Sequence, residues 1–133
     1  MEELNFAMTV YLLDPRSPAE IKGQIEQAFG CQLAMEDADV PLEERENSFE
    51  GSVFGLYVSL VLARQWPEGN VYRIAGVTKK GVYAREGKMV SLDSHVIRLL
   101  RHCGFPSVMT PEEFAKGDRE RFPEVWATLG PKG

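Results

Sequence analysis

This chain is poor in the residues that most often carry chemistry. It holds two cysteines and two histidines among 133 residues. Cys31 and Cys103 lie far apart in sequence and read as reduced, half-buried thiols of a cytoplasmic protein, not as a disulfide. His95 and His102 are seven residues apart on one predicted helix face. That is two turns, about 10 Å, too far to share one ion. His102 adjoins Cys103, but neighbours on a helix point about 100° apart and make no base–nucleophile pair.

Other absences narrow the field further. No apolar run reaches the ~20 residues of a bilayer-spanning helix. Met1-Glu2-Glu3 is acidic where a secretory leader is basic, so neither a leader nor a membrane anchor is expected. The stretch Glu50-Gly51-Ser52-Val53-Phe54-Gly55 places its second glycine one position too late for a nucleophile elbow. Phosphate-loop and dinucleotide fingerprints are missing. Asp37 and Asp39 open something like a calcium loop, but Pro41 and the lack of the required glycine and terminal glutamate break the pattern. No catalytic residue, metal or cofactor is expected, and the chain reads as a non-enzymatic protein.

What is present is an uneven distribution of charge. Residues 1–50 carry three bases and twelve acids, 3 − 12 = −9, and residues 51–133 carry twelve bases and eight acids, 12 − 8 = +4. The stretch from Glu36 to Asn47 holds six acids and one base. Pro41 prevents a continuous helix or strand through it, so it reads as an acidic loop. Asp37, Asp39, Glu43, Glu44 and Glu46 are the candidate partner-binding residues, because a clustered acidic surface steers a basic partner. Trp66, in a turn of hairpin length, is a candidate aromatic anchor. Lys79, Lys80, Arg85 and Lys88 at the hairpin turns, or Arg98 and Arg101 on the helix, make only a modest basic patch, and the acidic half repels phosphates, so no nucleic-acid partner is expected.

The pattern along the chain predicts one α+β domain over 1–133, with an antiparallel-dominated sheet and helices packed on it. It opens β-α-β. Asn5–Leu13 alternates as a strand. Ser17-Pro18-Ala19-Glu20 is a capping box with proline at the first turn, and it starts a helix carrying Ile21, Ile25, Ala28 and Phe29 to a stop at Gly30. Gly23 inside that helix suggests a closely packed neighbour. Cys31–Met35 is a short strand. The run Val53–Ala63 is the longest apolar stretch, with Phe54, Leu56, Val58, Leu60 and Leu62 on one face, and reads as one central strand. Hairpins then join Val71–Thr78, Val82–Arg85 and Met89-Val90 in a meander. Ser91–Cys103 reads as a second helix, with Leu92, Val96, Leu99 and Cys103 as its apolar stripe and Leu100 beside it. Thr110-Pro111-Glu112-Glu113 caps a short helix that Gly117 is expected to stop at Lys116, and Glu124–Leu129 adds a final helical turn.

Size, single-domain α+β pattern, acidic half and missing catalytic motif together resemble the small cytosolic immunity proteins that neutralise bacterial contact-dependent and other polymorphic toxins. The resemblance implies a tight complex with a cognate toxin domain, often a cationic nuclease, whose active site the acidic surface covers. Two alternatives stand beside it. One is a small enzyme or ligand-binding domain with a pocket between the sheet and the 91–103 helix, lined by His95, Tyr57 and Tyr72. The other is a scaffold that self-associates through the meander edge or the Trp126 region.

Overall fold

The computed structural model describes residues 4–35, 48–53, 56–78 and 88–128. In chain order the elements are β1 (Leu4–Asp14), α1 (Pro18–Phe29), β2 (Ala34–Met35), β3 (Ser48–Val53), β4 (Leu56–Trp66), β5 (Gly69–Thr78) and β6 (Lys88–Ser91). They continue with α2 (Asp93–His102), β7 (Val108–Met109), α3 (Pro111–Arg121) and α4 (Pro123–Thr128). The strands form one mixed, mostly antiparallel sheet in the order β2-β3-β4-β5-β1-β6, with β7 also paired to β1. An α+β domain with a β-α-β opening and a meander is therefore correct.

The run Val53–Ala63 is two strands, not one. Val53 ends β3 and stands opposite Leu56 of β4, so the chain reverses between them. Phe54 lies outside the described residues. The face assignment holds within β4: Leu56, Val58 and Leu60 are buried, while Tyr57 on the other face is 40% exposed. Only Ala34–Met35 of the Cys31–Met35 stretch is strand. The meander runs β3-β4-β5 and stops there. β6 pairs in parallel with β1 on the side away from β5, and Val82–Arg85 lies outside the described residues.

The outer side of β1 shows how a broken edge is completed. Leu4–Ala7 pair with β6, and Tyr11 and Leu12 with β7. Between them the Thr9 amide donates to the Asp93 carboxylate at 2.8 Å, so the start of α2 stands in for missing strand backbone. Unpaired edge groups left this way would invite pairing with other chains.

Two layers of helix cover opposite faces. On the front, α1 and α2 bury Ile21, Ile25, Phe29, Val96, Ile97 and Leu100 against Met8, Val10, Leu12, Val58, Leu60 and Ile74. The Ser17 capping box is formed, and Gly30 closes α1 in the left-handed conformation at φ 65°. On the back, α3 stacks Phe114 on Tyr11, which alternates with Val10 and Leu12, at a centroid distance of 4.0 Å.

A β-bulge decides what reaches the back. Leu62 pairs with Tyr72, but Arg64 pairs with Val71, a slip of one residue. Strict alternation would send Leu62, Arg64 and Trp66 to the front; the extra residue turns Arg64 and Trp66 to the back instead. Gly117 does not stop α3, which continues to Arg121. A Cβ there would lie 2.9 Å from the Trp66 ring, so this glycine makes room for an indole and does not cap. Gly23 has no such reason, since an added Cβ meets nothing within 4 Å.

Candidate partner-binding surfaces

The most heavily bonded group in the described interior is Asp118 on α3, with no exposed surface. Arg64 grips its carboxylate from β4, Nε to Oδ1 at 3.1 Å and Nη2 to Oδ2 at 3.0 Å. The Trp66 indole donates to Oδ1 at 2.9 Å and the Trp126 indole of α4 to Oδ2 at 2.9 Å. Burial works to raise the pKa of this carboxyl, but the donors of Trp66, Arg64 and Trp126 together outweigh it and hold the group below the usual aspartate range. Arg121 lies 3.9 Å over the Trp66 ring and pairs with Glu68.

A second buried carboxylate closes the front. Asp14 ends β1 at 2% exposure and accepts from the backbone amide, Nε and Nη2 of Arg16 at 3.0, 2.9 and 2.7 Å. Burial pushes its pKa up, but the Arg16 bonds prevail and the carboxyl sits below its ordinary value. Tyr72 donates to the Arg16 carbonyl at 2.6 Å, and the Arg16 guanidinium bonds the Gln24 amide oxygen. Gln24 in turn donates to the Cys103 carbonyl at 3.0 Å, joining α1 to the end of α2. Both aspartates are occupied with tying elements together. A catalytic acid or base near neutral pH needs the opposite, a raised carboxyl with a free lone pair facing solvent or substrate.

The residues singled out in sequence fall in different places. Trp66 is no exposed anchor: it is 6% exposed and packed beneath α3, with Phe114 stacked on it at 5.8 Å. The three residues proposed for one pocket do not meet. Tyr72 is buried on the front, Tyr57 stands on the back, and His95 is on the solvent side of α2. The interior beneath α2 is filled by Val96, Ile97 and Leu100. His102 is exposed as well, and no group of three or more metal-binding side chains occurs among the described residues.

Open clefts lie along α1 and on the back of the sheet beside Tyr57. One of about 610 Å³ is lined by Arg16, Gln24 and Cys103, and one of about 630 Å³ by Lys22, Glu26 and Cys31. Burial, aided by Glu26, pushes the Cys31 thiol up and away from the reactive thiolate.

Asp37, Asp39, Glu43, Glu44 and Glu46 lie outside the described residues, as do Lys79, Lys80 and Arg85. What is defined is the setting of the acidic stretch. The stretch leaves β2 and returns in β3, where Met35 is paired with Phe49. Both its ends are thus held side by side on one edge of the sheet.

Sequence reasoning passed over Asp118 and Arg64. The available signal was negative: α3 reads Pro-Glu-Glu-Phe-Ala-Lys-Gly-Asp-Arg-Glu-Arg, with too thin an apolar stripe to be held by burial alone. No helix among the described residues is long and apolar enough to cross a membrane. Comparison with protein-family models, with curated proteins and with solved structures finds no match to this chain.

Proposed function

We propose that this chain is a non-enzymatic binding protein of the immunity type, a cytoplasmic inhibitor that neutralises a basic toxin domain through its acidic stretch. One observation carries the reading: six acids against one base between residues 36 and 47, in a stretch whose ends are pinned together at the β2–β3 edge. Pinning the ends limits the conformations over which that charge is spread and concentrates its field on one side. A basic partner drawn to those acids is steered to this edge of the sheet. The described interior adds support, since the two carboxylates buried among the described residues are committed to structural donors.

The test is the association rate with the toxin domain encoded in the neighbouring reading frame. Changing Glu43, Glu44 and Glu46 together to lysine is expected to slow association at low salt by about ten-fold or more, with the difference closing at high salt. Thermal unfolding of the free protein is expected to change by no more than about 0.5 kcal/mol. Equal association rates at low salt would remove the acidic stretch from the interface.

A further inference from the structure

The front of the molecule holds a glycine that its own fold does not account for. Gly23 lies in the interior of α1, and an added Cβ would meet nothing within 4 Å. Glycine is less favourable than alanine at such a position, and no neighbour within the chain requires it. The two clefts beside α1 lie on opposite sides of the helix, one toward Cys103 and one toward β2, and Gly23 and Gln27 line both. Because no side chain stands at position 23, the clefts join across the helix there.

The cleft on the β2 side has the chemistry of a cation seat. Glu26 accepts the Leu33 amide at 2.8 Å and Lys22 Nζ at 3.3 Å, both at Oε2, and its Oε1 accepts no bond from the described residues. The Leu33 amide holds this carboxyl below the usual glutamate range; burial opposes that shift and Lys22 adds to it. The group is therefore charged at neutral pH. Lys22, the cleft's own cation, is engaged by Glu26 and lies over the Phe49 ring at 5.8 Å. Gln27 and Gln32 add amide oxygens to the lining. A phosphate of a duplex or of a membrane would meet the Glu26 carboxylate with like charge.

We infer that the partner's chain crosses α1 at Gly23, close against the helix backbone, and seats one arginine or lysine side chain in this cleft against Glu26. The inference rests on the reading of this chain as an inhibitor of a basic protein, and it extends that interface onto α1. The cleft reaches Leu33, the residue before β2, so a partner steered to the β2–β3 edge arrives beside it. Close approach of a second backbone is a use for which glycine alone is suited.

Two measurements test the inference. In the first, a capped pentapeptide with arginine between glycines is titrated into the labelled protein, and backbone amides are followed by NMR. The same peptide with glutamate at its centre is the control. The arginine peptide is expected to shift the Gly23, Gln27 and Leu33 amides on one saturating curve, and the glutamate peptide none of them. Glu26→Gln keeps an oxygen for the Leu33 amide and is expected to weaken the arginine response about ten-fold. The second measurement is the complex with the toxin domain of the neighbouring reading frame. Gly23→Gln is expected to raise the thermal midpoint of the free protein and to speed dissociation about ten-fold or more, since a side chain then fills the crossing. A glycine with a purely structural role does not give a more stable protein that binds less tightly.

The inference is overturned by equal shifts from the two peptides, by shifts confined to residues outside the clefts, or by unchanged dissociation in Gly23→Gln. It is also overturned by self-association in sedimentation that Gly23→Gln abolishes, since a second copy is then the occupant. Slowed association in the Glu43, Glu44, Glu46 reversal with unchanged dissociation in Gly23→Gln removes α1 and leaves the acidic stretch in the interface. A toxin domain that does not bind the unaltered chain removes the reading on which both rest.

Discussion

The two helical layers are held to one sheet by different physics. In front, α1 and α2 set Ile21, Ile25, Phe29, Val96, Ile97 and Leu100 into a continuous apolar core. That attachment is non-directional and tolerates local adjustment. In back, α3 and α4 are attached by one buried carboxylate with four donors, and by stacking of Phe114, Trp66 and Arg121. That attachment is directional, and it depends on a bulge that turns Arg64 and Trp66 to the correct face. The front layer is spread over many small contributions, whereas the back layer is concentrated on Asp118.

The largest break in this contrast is Asp118→Ala. Removing a buried ion partner while its donors stay in place costs about 3–5 kcal/mol. Here Arg64, whose side chain is 35% exposed, recovers some hydration, so the lower end of that range is expected. Urea denaturation measures the loss, and tryptophan fluorescence should shift red as Trp66 and Trp126 are freed. A cost below about 1 kcal/mol would place the back layer under the same apolar rule as the front.

A smaller effect is expected at Gly117. Alanine is the better helix former, yet its Cβ would lie 2.9 Å from the Trp66 ring and 3.1 Å from Arg121. Overpacking of this kind costs about 1–3 kcal/mol. The smallest effect, of opposite sign, is expected at Gly23 in the front layer. There an alanine Cβ meets nothing within 4 Å, so Gly23→Ala should stabilise by about 0.4–1 kcal/mol. Thermal unfolding of the two variants side by side sharpens the comparison. If both glycines respond alike, the indole contact at Gly117 is not what constrains α3.

The α1 half of the front layer was legible in the sequence because burial writes itself as periodicity, whereas the α2 stripe was read with Leu99, which is exposed, and without Ile97, which is buried. Ser17-Pro18-Ala19-Glu20, the 21-25-29 spacing and Gly30 each announced their roles, and α1 formed where they said. Two-residue alternation likewise assigned the buried face of β4 correctly. It failed where a local irregularity reset the phase. Nothing in Leu62-Ala63-Arg64 marks a bulge, so Trp66 read as a turn-tip anchor instead of a buried indole. The reversal between Val53 and Leu56 was hidden inside an apolar run, because a strand pair covered on one face shares the composition of a single long strand. Gly117 was misread because a glycine that ends a helix and one that admits a neighbouring ring look alike in one dimension. The candidate site was legible only as charge: the acids of residues 36–47 identify themselves, but the pairing of Met35 with Phe49 that pins their ends is a long-range fact.

The central claim is that the buried aspartates are structural, and the titration of Asp118 followed by carbon-13 NMR tests it most directly. A carboxyl lowered by folding contributes stability that is complete above the unfolded value of about 3.9 and lost as pH falls through the folded one. The Asp118 resonance should therefore remain that of the ionised form below pH 4, with acid unfolding setting in only as it protonates. A midpoint above the ordinary aspartate value would contradict the account, because it would describe a carboxyl poised to exchange protons and reopen the case for chemistry in the interior.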